Sequence, residues 1–266
     1  MRPIAILLLV AAAARLPAQD TVIVESGGLK LRALLWRPAG NGPFPGVIYN
    51  HGSGPNMEMQ RPATVGPVFA SHGYVLLYLF RRGSGLSAKE GSNGGVLMDR
   101  ANAEKGLAAR NELQLRLLES ELEEVMAGIA FLRGRRDVNA KRIAVAGHSF
   151  GGALNLLAAE RDSTLRAVVL FGGAARSWPG STKLQQRLIE AVRHTRTPVF
   201  FAYAANDYSI EPAKILGGEL EKLGRPYRAK IYPAFGSTAG EGHNFVYGSV
   251  AAWERDVFAF LAEHMR

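Results

Sequence analysis

The stretch "RIAVAGHSFGGALN" (142–155) constrains this chain more than any other. An apolar run ends at Gly147, one serine sits between the glycines at 147 and 151, and a new helical pattern begins at once. A buried strand that becomes a helix within two or three residues needs a very tight turn. Its central residue is forced into a strained backbone conformation, with the side chain raised above the sheet. The neighbours two positions away must then be tiny, which Gly147 and Gly151 are, and Gly152 lets the helix pack close to the strand. The helix N-terminus also aims free N–H groups at the same place, where they favour a developing negative charge. The pattern G-x-S-x-G also occurs by chance in glycine-rich loops; its position between a strand and a helix gives it meaning.

The rest of the chain repeats the alternation. "TVIVES" (21–26) and "LRALLWRP" (31–38), linked at Gly27-Gly28, predict a hairpin. Buried strands are predicted at 45–54, 74–83, 142–147, 166–173, 198–207 and 227–233. Helices are predicted at 64–73, 113–133, 150–160, 182–194, 212–224 and 249–265. Residues 84–112 are the least readable part, polar and rich in Gly, Ala and Arg. Unbroken apolar strands alternating with helices imply an α/β fold: a mostly parallel central sheet with helices on both faces and an antiparallel N-terminal edge. No Pro/Ser-rich linker divides the chain, so residues 19–266 are expected to form one domain.

Residues 1–18 have the pattern of an export signal. Arg2 supplies the positive start, Ile4 to Ala14 an apolar run too short to span a bilayer, and Leu16-Pro17-Ala18 a small-residue cleavage site before Gln19. An uncleaved anchor or a misplaced start codon is the alternative. The expectation is a periplasmic or extracellular protein with no stable membrane insertion after cleavage. The chain has no cysteine, which excludes disulfides, thiol nucleophiles and zinc–thiolate sites and leaves stability to the core. The formal charge is +9, falling to +7 without Arg2 and Arg15. The basic residues are scattered and no cluster is interleaved with aromatics, so the excess is read as solubility, not nucleic-acid binding.

A serine hydroxyl is a poor nucleophile at neutral pH and needs a base that is itself oriented by an acid. Three histidines follow Ser149. His194 ends a helix, His264 lies in the last helix, and His243 lies in the glycine-rich "STAGEGHNF", predicted as a loop after a strand. His243 is therefore the candidate base. Asp207 ends the strand "PVFFAYAAND" and is the candidate acid; its competing role is a cap for the next helix. A nascent oxyanion needs backbone donors. One is the N–H of Phe150, directly after the serine; the other is Ser53, or alternatively Gly52, in the glycine-rich loop after "GVIYN". His51 in that loop is read as a structural brace. There is no H-E-x-x-H, Walker loop or strand–G-x-G-x-x-G–helix unit, and no metal or organic cofactor is expected.

Taken in order, "PGVIYNHGSG", "YVLLYLFRRGSGLS", "ELEEVMAGIAFLRGRRDVNAKRIAVAGHSFGG", "TPVFFAYAANDYSI" and "GEGHNF" resemble the α/β-hydrolase superfamily, and within it the dienelactone-hydrolase-like and prolyl-oligopeptidase-like branch. The resemblance covers most of 30–265 and implies Ser149 as nucleophile, Asp207 as acid and His243 as base. Dienelactone hydrolases proper use a cysteine at the elbow; a serine here argues against that reaction and for a serine esterase. The stretch 84–112 is longer than in the minimal fold and is a candidate lid or pocket-covering insertion. Arg82, in a loop common to the branch, is a candidate for pairing with a substrate carboxylate, against the alternative of an ion pair bracing the loop. The implied function is an exported hydrolase of a small-molecule carboxylic ester acting through an acyl-enzyme. A serine peptidase of the prolyl-oligopeptidase type and a non-catalytic binding module on the same fold are the competing readings. The sequence gives no oligomeric state.

Overall fold

Apolar, β-branched and aromatic runs too short for helices become strands, and most are buried on both faces. The computed structural model describes residues 18–54 and 59–266. Strand β3 (Phe44–Asn50), β4 (Val75–Leu79), β5 (Val138–His148), β6 (Val168–Phe171) and β7 (Val199–Ala204) form the centre. Every residue of β4, β6 and β7 is buried, which is why these runs show no period-two alternation. The last strand, β8 (Tyr227–Tyr232), is an edge and is mostly exposed, with Arg228 and Lys230 on it. Charged residues on an edge discourage pairing with other chains.

The hairpin of β1 (Ala18–Ser26) and β2 (Leu29–Arg37) turns at Gly27-Gly28, both with positive φ. The eight strands run in the order β1-β2-β4-β3-β5-β6-β7-β8. β1 pairs antiparallel with β2, and β2 with β4; all other pairs are parallel. This is the sheet expected from the sequence, antiparallel N-terminal edge included. Of the export-signal reading at residues 1–18, residues 1–17 lie outside the described residues. Among the described residues no helix is long and apolar enough to cross a membrane.

Two cores cover the sheet. On one face α2 (Gly94–Arg133), α3 (Phe150–Arg161), α4 (Thr182–His194) and α5 (Glu211–Lys222) bury Leu118, Leu122, Leu154, Leu188 and Leu216 against the strands. On the other, α1 (Gln60–Ser71) and α8 (Val250–His264) bury Phe69, Trp253, Val257 and Phe260. Burying each large apolar side chain contributes about 1.5–3 kcal/mol.

The helix predicted at 113–133 begins much earlier, at Gly94. The Asn93 side chain caps it by accepting from the N–H of Val96 at 3.0 Å. At Gly106 (φ 80°, ψ 179°) the backbone leaves the helical region, so residues 94–105 and 107–133 run as two segments. The stretch 84–112 is thus mostly helical, and a short 3₁₀ turn at Gly85–Ser87 precedes it.

Candidate active site

β5 ends at His148 and α3 starts at Phe150, so Ser149 alone makes the turn. Its backbone adopts φ 56°, ψ −117°, a region that non-glycine residues avoid. Surrounding contacts hold it there: its N–H donates to the Phe171 carbonyl at 2.9 Å. The turn is so tight that a Cβ at position 151 would lie 2.0 Å from the Asn50 carbonyl oxygen, so only glycine fits.

His243 and Asp207 arrive from two other places along the chain. Asp207 follows β7, and its Oδ1 accepts from the Tyr208 N–H at 2.7 Å. His243 is the last residue of α6 (Ala239–His243), a short helix where the sequence predicted a loop. The helix forms because Thr238 and Glu241 cap it reciprocally: Thr238 Oγ1 accepts from the Glu241 N–H, and Glu241 Oε2 accepts from the Thr238 N–H at 2.9 Å. Asn206 ties the preceding segment to the end of β7, donating to the carbonyls of Phe235 and Thr238, each at 3.0 Å.

Three side chains distant in sequence therefore meet. Ser149 Oγ lies 2.8 Å from His243 Nε2, and His243 Nδ1 lies 2.7 Å from Asp207 Oδ1. With a buried carboxylate at Nδ1, that nitrogen carries the proton and donates, which leaves Nε2 to accept from the serine hydroxyl. Both His243 and Asp207 are buried, so the bond between them is shielded from water, while Ser149 is half-buried. The other two downstream histidines do not join it; His194 is exposed near Glu160, and His264 lies beside Glu263.

A further residue, missed from the sequence, supports His243. The His148 ring is buried 4.6 Å (centroid to centroid) from the His243 ring, and its Nε2 donates to the His243 carbonyl at 2.8 Å. Burial, then the neighbouring His243, holds His148 well below the usual imidazole range, so it is neutral. The only sequence signal was its place inside the elbow motif.

The loop after β3 is braced from behind. The Arg81 guanidinium is buried, donates to Glu121 at 2.7 Å, and also donates to the His51 carbonyl at 2.8 Å. The Arg81 N–H donates to His51 Nε2 at 3.1 Å, while His51 Nδ1 donates to the Gly52 carbonyl at 2.6 Å. His51 is thus a brace, kept neutral by burial and by Arg81. Burial raises the Glu121 carboxyl above its ordinary range, against the opposing pull of Arg81. Ser53 and Phe150 both line the cavity beside Ser149, while Gly52 packs against the turn itself, where a Cβ would lie 3.3 Å from the Ser149 Cβ.

Arg82 does not serve the role of a substrate-carboxylate partner. Its guanidinium is engaged by buried Glu124, and its N–H donates to the same carboxylate at 2.9 Å. It turns to α2 and is absent from the cavity wall, so the bracing alternative is the one found.

The cavity, of about 70 Å³, opens beside Ser149 and Phe150. Gly95, Met98, Asp99 and Arg110, from the stretch that is the candidate lid or pocket-covering insertion, form one wall, and Ala174 and Arg176 after β6 form another. Among the described residues no group of three His, Asp or Glu side chains is arranged to hold a metal ion.

A sheet of this order with a strained serine at its strand-to-helix turn defines the α/β-hydrolase fold. Solved structures share it. The dienelactone hydrolase of Anabaena variabilis superposes with a TM-score of 0.66 at 20% identity, over 95% of this chain and 100% of that one. The acylaminoacyl peptidase of Pyrococcus horikoshii gives a TM-score of 0.66 at 16% identity, over 93% of this chain and 41% of that one. At these identities the likeness is one of fold. The model of the dienelactone hydrolase family matches residues 31–264, and the chain belongs to that family of hydrolases. Among curated relatives, Esterase EstD of Thermotoga maritima is 33% identical over 141 residues, covering 52% of this chain but 29% of that protein. This chain therefore aligns with less than a third of that relative's length.

Proposed function

We propose that the protein is an exported serine hydrolase that cleaves a carboxylic ester through an acyl-enzyme. The observation that carries this reading is the unbroken chain from Ser149 Oγ through His243 to Asp207, with both bonds under 3 Å. Ser149 Oγ attacks the ester carbonyl while His243 Nε2 takes its proton, and Asp207 stabilises the imidazolium that forms. The tetrahedral oxyanion sits against the N–H of Phe150, at the start of α3, and that of Ser53; each such donor contributes about 2.7–4 kcal/mol to transition-state stabilisation. Collapse breaks the bond to the alcohol, which leaves with the proton from His243. Water, deprotonated by His243, then releases the acid. The export reading rests on the sequence of residues 1–18 alone.

The experiment is a panel of nitrophenyl esters of short and long acids beside aminoacyl-proline amides. The expected result is ester turnover that Ser149→Ala abolishes, without amide cleavage. Amide cleavage of comparable efficiency would favour a peptidase, and ester turnover surviving the substitution would rule out the serine mechanism.

A further inference from the structure

Ser149, Asp207 and His243 all sit at the carboxyl ends of the parallel strands. The opposite end of the molecule has a different character. The loops that feed the strands there carry Arg136 before β5, Arg166 before β6, Arg196 before β7 and Arg225 before β8. Lys141 and Arg142, in the first half of β5, add to them. Among the described residues none of these six has a carboxylate within 4.0 Å, the limit for an ion pair. The neighbouring acids Asp137, Asp162, Glu219 and Glu263 are taken by Arg135, Arg133, Arg193 and Arg228. Exposed Glu190 and Glu221, near the ends of α4 and α5, reduce the excess, and Lys222, sharing Glu219 with Arg193, offsets one of them.

These cations form one surface. Arg142 donates to the Met265 carbonyl at 2.5 Å and Arg166 to the adjacent His264 carbonyl at 3.2 Å. Arg166 and Arg196 line a single hollow of about 280 Å³. Arg225 donates to the carbonyls of Val192 at 2.9 Å and Arg193 at 2.5 Å, close to Arg196. Backbone carbonyls thus position these guanidiniums without cancelling their charge. A one-sided positive face attracts an anionic surface.

Two observations favour a bilayer over a nucleic acid. The loops at 134–137, 161–166, 193–197 and 223–226 contain no Phe, Tyr or Trp to stack on bases, and the apolar side chain of Leu223 stands 45% exposed among them. The described chain also enters at this end, since Ala18 pairs with Arg37, and Trp36 with Leu76 beside the start of β4. The apolar run Ile4–Ala14 lies just before that point in the sequence. Under the export reading proposed above, that run brings this end to the membrane first.

We propose that this basic end docks on a bilayer rich in anionic phospholipid. Strands of this length hold Ser149 about 20 Å from the bilayer, facing away from it. The site then meets soluble esters and not the lipid beneath. That orientation rests on the ester-hydrolase reading; the docking does not.

The test is co-sedimentation of the full chain with vesicles of pure phosphatidylcholine and of an equal mixture of phosphatidylcholine and phosphatidylglycerol. The ratio of the two partition coefficients isolates the charge contribution from any apolar one. At about 0.1 M salt it should exceed about tenfold, and it should fall towards one at about 1 M. Arg136→Gln/Arg166→Gln/Arg196→Gln should lower it about tenfold or more, since each charge near the surface counts roughly fivefold. Lys89→Gln/Lys105→Gln/Arg116→Gln makes the same change in net charge at exposed positions nearer the Ser149 end. It should lower the ratio less than about threefold, because those charges lie beyond the screening length. A ratio near one, an equal loss in both triple variants, or retention of duplex DNA by a protein that ignores the vesicles overturns the proposal. Turnover of a nitrophenyl ester should persist on the vesicles; its loss there would put the Ser149 end against the bilayer and overturn the orientation. Sedimentation needs no turnover, so a protein that docks but cleaves no ester would refute the hydrolase reading alone.

Discussion

Replacing Glu121 by Gln separates the stability of the loop after β3 from its proposed catalytic use. Arg81 is 1% exposed, and Glu121 is its carboxylate partner at 2.7 Å. Neutralising Glu121 leaves a buried guanidinium without a counter-charge, which costs about 3–5 kcal/mol. For a chain of this size each kcal/mol lowers Tm by roughly 2–4 °C, so the expected drop is about 6–20 °C. The double variant Arg81→Met/Glu121→Met removes both charges and should regain part of that loss. It should not regain it all, because the carbonyl of His51 loses its donor. Its kcat on a nitrophenyl ester should nevertheless stay about tenfold or more below the native value, since the loop that carries the Ser53 N–H is no longer held. Removing an oxyanion donor outright costs about 2.7–4 kcal/mol, which sets the ceiling. Thermal melts and steady-state kinetics on the three proteins decide it. A Tm change under 2 °C in Glu121→Gln, or full kcat in the double variant, would refute the reasoning.

The substitution His148→Phe keeps the ring but removes the donor to the His243 carbonyl; kcat should fall about tenfold with KM nearly unchanged, and His148→Gln should restore part of it. A change confined to KM would show that His148 does not position the base. Gly172→Ala should lower kcat at least about tenfold, because φ is 58° there and a Cβ would lie 2.7 Å from Asp207 Oδ2 and 3.0 Å from His243 Nδ1. Native kinetics in that variant would count against the tight geometry around the acid. His51 and His148 are held neutral in the fold, whereas the unfolded chain protonates them below about pH 6.5. Their lowered folded pKa values give stability that is present above that pH and lost as pH falls, so Tm should decline from pH 7 to 5. The decline should be shallower in His148→Phe, and equal slopes would contradict the assignment.

What the sequence reveals here follows the range of the interaction. The elbow is local: Gly147, Ser149 and Gly151 carry its whole geometry, so it is readable from five residues. Asp207 is readable because the end of its strand is, and His243 because it is the downstream histidine that lies outside a predicted helix. The helical form of 239–243 was also open to reading, since Thr238 and Glu241 have capping-box spacing; the glycines at 240 and 242 masked it. The helix at 94–105 was hidden for a different reason. It opens with Gly94-Gly95, poor helix formers, because α2 passes so close to the loop that a Cβ at 95 would strike the Ser53 carbonyl at 1.9 Å. Arg82 and His148 could not be assigned locally at all. Their partners, Glu124 and the His243 carbonyl, lie 42 and 95 residues away.

The most direct measurement is the site of labelling by a fluorophosphonate probe, mapped by peptide mass spectrometry in the native protein and in His243→Gln. The account predicts one modified residue, Ser149, and labelling slowed by orders of magnitude once the imidazole is gone. A label on a different serine, or undiminished labelling without His243, would contradict it.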